Sequence, residues 1–406
     1  MKRLTALLLA FVVLLTLTAC GEESGKAIDT NIENSTDLDR AFAHAAMFGK
    51  VCATENTVYF AHALDGNMIH YLDKETGISG PLCGKPECFH NNSSCNAYVA
   101  DAQMLSLYDG RLYFVERNYS AITVYSMALD GTDRREVRKI DAQLYPRTYS
   151  VTFVVLHRGY VYAAFIKKEI ANGEEASSSY VCAFSLDPEE KPFVIMEEET
   201  DLDSDIVIQP YGDELYILTC EYVDDNGPED WPYRYDIKIR RWNAQTREME
   251  TLYHDGKSSR TIIRELWTMD DGLLIALMDN REAAADICMY DFESGELIKL
   301  FTVAPLSTNV RARVGIADNF VSGNYLNDDT GEFYVILKDF EGNVLLEDTY
   351  EIEHPFIEPR LCGIDEDYAY FYGFTFSSKM KYLSIISVAL DGSGVRVTTE
   401  VESFGG

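Results

Sequence analysis

Three cysteines and a histidine crowd one short stretch, Cys83-Gly84-Lys85-Pro86-Glu87-Cys88-Phe89-His90-Asn91-Asn92-Ser93-Ser94-Cys95. The pattern is C-x4-C-x-H-x4-C. Three thiolates and one imidazole can complete a tetrahedral Zn²⁺ site, and Gly84 and Pro86 suit a loop that folds back on itself. The spacing departs from the usual C-x2-C of zinc loops. A disulfide is the competing expectation, Cys83 to Cys88 or Cys88 to Cys95, wherever an oxidant is available. One thiol of the three is then left to pair elsewhere, for instance with Cys52. Either chemistry makes the loop a structural staple, and no general base is suggested that would make one of these thiols catalytic.

A second constellation lies at 222–233. Tyr222, Trp231 and Tyr233 stand among Asp224, Asp225, Glu229 and Asp230. Aromatic rings interleaved with carboxylates suit stacking on a sugar or gripping a basic peptide. The plainer reading is a solvated acidic turn with Trp231 packed on its own scaffold. A third residue with chemistry of its own is Cys20. Lys2 and Arg3 precede an apolar run from Leu4 to Leu17, of signal-peptide length and short for a membrane span. The run ends in Leu17-Thr18-Ala19-Cys20, which resembles the bacterial lipobox at all four positions. That resemblance implies cleavage before Cys20 and diacylation of its thiol. Residues 1–19 are then a lipoprotein signal peptide, and 20–36, small and polar, a lipidated flexible tether. The expected location is the outer face of the cell membrane.

Composition narrows the partners. The 406 residues carry 67 Asp+Glu against 35 Lys+Arg, a formal charge of −32. Such acidity repels phosphate backbones and argues against nucleic acid. With 47% hydrophobic residues the chain has ample material for a core. Catalytic signatures are missing: no G-x-S-x-G, no H-E-x-x-H, no P-loop and no G-x-G-x-x-G.

The elements that must position these residues come from a repeat. Aromatic-rich β segments recur about every 50 residues: 57–60, 111–114, 160–163, 214–217, 273–276, 319–322 and 368–371. After each comes a second β segment that ends in a turn. Aligned by those turns, one column reads Leu72, Met127, Phe184, Trp242, Tyr290, Lys338, Val388. The column two residues earlier reads His70, Tyr125, Cys182, Arg240, Cys288, Ile336, Ile386. A further strand follows each turn and a short one precedes each aromatic segment. Four strands in each of seven repeats predict an all-β fold, a single seven-bladed β-propeller over 37–406, with six or eight blades as the alternatives. Cys182, Cys220, Cys288 and Cys362 fall in strand patterns and read as small buried hydrophobes.

The strand-turn Met-Ala-Leu-Asp-Gly-Thr-Asp at 127–133, repeated as Val-Ala-Leu-Asp-Gly-Ser-Gly at 388–394, is similar to bacterial surface lipoproteins with TolB-like or YWTD-like propeller repeats. That group is functionally heterogeneous, so the resemblance implies a fold and a cell-surface role rather than an activity. The expectation is therefore a monomeric, non-enzymatic binding scaffold for a protein or glycan partner. The alternative is an extracellular carbohydrate-active hydrolase or lyase on the same scaffold.

Overall fold

The structure is a computed structural model. It describes residues 49–62, 67–118, 121–141, 150–171, 174–200, 205–224, 233–255, 261–279, 284–303, 313–317, 320–327, 330–352, 357–376 and 380–403. Cys20, the tether and residues 37–48 lie outside them.

Seven four-stranded antiparallel sheets follow one another along the chain, at 49–81, 102–141, 150–200, 205–254, 261–303, 313–351 and 357–403. Their first strands touch in cyclic order, and the first blade meets the seventh, which closes a ring. This is the expected seven-bladed β-propeller, with no helix among the described residues.

The register matches the repeat in every blade. Leu72, Met127, Phe184, Trp242, Tyr290, Lys338 and Val388 each pair with the residue at one equivalent position of the second strand: Val58, Leu112, Val161, Leu215, Leu273, Val321 and Ala369. The polar members of the aligned columns are provided for. Arg240 is buried, donates to Thr219 Oγ1 at 3.1 Å and pairs with Glu198. Lys338 donates to the Thr302 carbonyl at 3.3 Å and sits over the Phe301 ring.

Hydrophobic packing lies between blades, one core per neighbouring pair. The second strand of blade three, Tyr160–Ala171, shows why. Val161, Ala163 and Phe165 face the core shared with blade two. Tyr162, Ala164 and Ile166 face the core shared with blade four. A strand buried on both faces needs apolar residues at consecutive positions, so these segments lack simple alternation.

Among the described residues blades one and seven share no strand, because each takes all four strands from one contiguous stretch. Among the described residues side-chain contacts seal that joint. Val51, Val58, Phe60 and Leu72 pack against Tyr370, Tyr372, Leu383 and Ile385. Lys74 Nζ lies 3.1 Å from Asp365 and 4.7 Å above the Tyr370 ring, and Arg396 donates to the Lys74 carbonyl at 3.2 Å. A cavity of about 200 Å³ opens at this joint, lined by Thr54, Glu55, Lys74, Asp365 and Tyr370 among others.

Burial opposes ionisation of Asp365. The Tyr370 hydroxyl at 2.6 Å, the Lys74 ammonium and the backbone N–H groups of Tyr368 and Asp367 outweigh it, and hold the carboxyl below its ordinary value. A carboxyl depressed on folding stabilises the fold above its unfolded pKa of about 3.9, and that contribution is lost as pH falls through the folded pKa. Thermal melts of the wild type and Asp365→Asn should therefore differ by a constant amount above about pH 5. The gap should narrow as the medium is acidified below that range. A gap independent of pH would remove Asp365 from the acid response.

Candidate functional site

The Cys-His loop joins the outermost strand of blade one, Ser79–Pro81, to the innermost strand of blade two, Ala102–Tyr108. Its return limb, Tyr98–Val99, pairs with Asn67–Met68 in the connection between the second and third strands of blade one. Short turns shape the path between. The Cys88 N–H donates to the Lys85 carbonyl at 3.2 Å and the Cys95 N–H to the Asn92 carbonyl at 3.1 Å. His90 adopts φ of +52°, in the left-handed region that non-glycine residues seldom occupy.

The outcome is convergence. Cys83, Cys88, His90 and Cys95 bring their ligand atoms within 4.8 Å of one another. His90 Nδ1 lies 3.3 Å from Cys95 Sγ. Cys95 is buried and the other three are half-buried. No two cysteines are bonded among the described residues. Cys52, the sequence-stated partner for a spare thiol, is buried in the core between blades one and two and is not a member of the cluster. Cys182, Cys220, Cys288 and Cys362 are buried within their blades, as their strand patterns suggest.

The loop pushes two of its thiols in opposite directions. Burial works against the Cys83 thiolate, but the backbone N–H groups of Lys85 and Asn96, aimed at its sulfur, hold the thiol below its ordinary value. Burial pushes Cys95 up to about 12, and the thiols of Cys88 and Cys83 add to the rise, while the Ala97 N–H works the other way. Thiols this close resist sharing negative charge unless a cation comes among them.

Blade two anchors the loop through residues that the sequence reading did not single out for it. Arg134 donates to the carbonyls of Asn96, at 3.1 Å, and Tyr98. Its guanidinium stacks over Phe114 and Tyr125, at 4.9 and 4.6 Å, and lies 3.7 Å from the Glu116 carboxylate. Asn96 donates to the Gly131 carbonyl at 2.8 Å. The Gly84 N–H donates to that same carbonyl at 3.3 Å. The Asp130-Gly131 turn, visible in the sequence only as a repeat signature, is thus the seat of the loop. Phe89, between two of the converging residues, is 89% exposed.

The second constellation lies partly within the structure. Tyr222 and Asp224 end the second strand of blade four, Glu214–Asp224, and Tyr233 begins the third, Tyr233–Asn243. Asp224 pairs with Tyr233, and Tyr222 with Tyr235. This stretch is therefore an extended hairpin rather than a loop from its first residue. Asp225, Glu229, Asp230 and Trp231 lie outside the described residues. Blade three carries a matching extension, paired from Tyr160 with Ser185 out to Ala171 with Glu174. In blade two the same ladder runs only from Leu112 to Asn118. Among the described residues the ladders between second and third strands are thus longest in the adjacent blades three and four.

Fold and site together define a seven-bladed propeller with a Cys₃His cluster on the connection between its first two blades. No protein-family model matches the chain, and no curated protein matches it. Among solved structures it is similar to a prolyl endopeptidase, with a TM-score of 0.54 and 11% identity over 91% of this chain and 52% of that one. It is also similar to a puromycin-hydrolyzing peptidase of Mycobacterium tuberculosis, with a TM-score of 0.51 and 13% identity over 89% of this chain and 54% of that one. An oligogalacturonate lyase in complex with manganese matches at a TM-score of 0.49 and 12% identity, over 86% of each chain. The chain spans about half the length of these two peptidases. At such identities the likeness is one of fold.

Proposed function

We propose that this chain is a membrane-anchored, extracytoplasmic lipoprotein whose propeller serves as a non-enzymatic binding scaffold for a protein or glycan partner. The observation that carries the reading is the pair of extended hairpins on blades three and four. A rigid ring that lengthens two neighbouring hairpins at one end creates a local platform, and binding residues concentrate on such projections. The aromatic and acidic residues of 222–233 belong to one of the two. Cys20 provides the anchor, and the tether after it lifts the ring from the bilayer.

The test is cross-linking of the intact lipoprotein in its own membrane, followed by mass spectrometry. A reproducible partner joined to 167–178 or 222–235 is the expected result. Shortening both hairpins to the length of blade two should reduce its recovery at least about tenfold, the loss of roughly 1.4 kcal/mol of binding. Circular dichroism should show the ring intact. Recovery unchanged by the shortening would remove the platform. Turnover in a glycan-hydrolysis screen would replace the scaffold with the carbohydrate-active enzyme.

A further inference from the structure

We propose that Cys83, Cys88, His90 and Cys95 form a closed tetrahedral Zn²⁺ site that fastens the connection between blades one and two. Four donors of the S₃N type, from one short loop, satisfy the coordination preference of zinc completely. Ideal Zn–S and Zn–N bonds of about 2.3 and 2.0 Å place neighbouring ligand atoms roughly 3.5–3.8 Å apart. The ligand atoms here already lie within 4.8 Å of one another, one pair of them at 3.3 Å, so closure on the ion needs only small side-chain movements.

His90 decides between metal and disulfide. A disulfide joins two sulfurs and has no use for an imidazole. Yet the chain holds His90 in a left-handed conformation, which costs about 1–2 kcal/mol, and its ring nitrogen meets Cys95. Three sulfurs also leave an odd thiol in any disulfide scheme, and Cys52 is packed in another core.

The surroundings fit the charge of the filled site. Three thiols release three protons on binding, so Zn²⁺ with three thiolates and a neutral imidazole carries one net negative charge. Backbone N–H groups of Lys85 and Asn96 point at Cys83 and that of Ala97 at Cys95. Arg134 stands close enough to Cys95 for their charges to interact. With four protein ligands no coordination position is left for water or substrate, so the site is a staple and not a hydrolytic centre. It stands whether or not the hairpins of blades three and four bind a partner.

The experiment uses the full chain, purified without chelator. Elemental analysis should find one zinc per chain. Exchange with Co²⁺ should give the visible bands of a tetrahedral site and thiolate-to-cobalt charge transfer in the near ultraviolet. Cys88→Ser and His90→Ala should each lose the bound zinc, and Cys182→Ser should keep it. Arg134→Gln should weaken zinc affinity about 10–100-fold through the supporting shell. The Co²⁺ spectrum of the wild type keeps the test independent of how the variants fold. Absence of stoichiometric metal together with no tetrahedral Co²⁺ bands would overturn the proposal. So would an intact mass showing a disulfide among Cys83, Cys88 and Cys95 in the freshly isolated protein.

Discussion

Replacing Gly131 with valine should unseat the Cys-His loop and lower stability by about 2–4 kcal/mol, from backbone strain and overpacking together. Gly131 has φ of +78°, where a β-branched side chain is strained. A Cβ there would lie 2.7 Å from the Leu82 carbonyl carbon and oxygen and 2.8 Å from the Cys83 nitrogen. Those atoms are backbone and cannot swing aside. From the other side of the joint, a Cβ on Gly84 would stand 2.2 Å from Thr132 Cγ2. The chain carries its own control. Gly392 occupies the same Leu-Asp-Gly turn in blade seven with φ of +74°, and a Cβ there meets nothing within 4 Å. Gly392→Val therefore suffers the dihedral strain alone. Denaturant unfolding should show Gly131→Val to be the more destabilised of the two. Alkylation should show faster labelling of Cys88 and Cys95 in that variant only. Equal losses and equal labelling would mean that the loop is not seated on the turn.

Truncation of Phe60 to alanine should cost about 3–5 kcal/mol, the range for removing a buried phenylalanine, and open the ring at one place. Phe60 is fully buried at the joint of blades one and seven, stacks on His70 at 5.5 Å between ring centroids, and lies 6.4 Å from the Tyr372 ring. Among the described residues no strand ladder spans that joint, and side-chain packing and the Lys74–Asp365 pair hold it. The comparison is Phe165→Ala. Phe165 is also fully buried, but in the core between blades two and three, which the chain itself links. Both variants should lose similar global stability. Amide hydrogen exchange should rise first in 49–81 and 357–403 for Phe60→Ala, and around 102–200 for Phe165→Ala. Exchange that rises uniformly in both would show that the ring unfolds as one unit and that the joint is no weaker than its neighbours.

Much of the scaffold was legible because blade strands obey a local rule. A strand with both faces buried must be apolar and β-prone, and a turn must follow at a fixed offset. The aligned columns from Leu72 to Val388 therefore fell on one register, even at Arg240 and Lys338, whose polarity blurred the pattern. The cluster residues were legible too, since ligand-bearing side chains close in sequence announce themselves. What they do there was not. A spacing of C-x4-C-x-H-x4-C is compatible with a bridge or an ion, and the meeting of His90 with Cys95, on which the zinc proposal rests, is not visible in that spacing. The length of the hairpins on blades three and four was also obscure, because polar strand extensions such as 167–171 and 174–179 carry no apolar pattern that marks them as strands.

By itself the sequence determined the all-β class, the strand register and the residues of the Cys-His loop, and it pointed to seven blades with six or eight as alternatives. Each follows from neighbours within a few tens of residues, where pattern and turn chemistry act. Only the tertiary structure decided which of two similar Leu-Asp-Gly turns seats that loop. Only it placed Asp365 on Lys74, 291 residues away in the chain. Contacts of this kind arise when the ring closes and packs blade against blade, so no stretch of sequence encodes them alone.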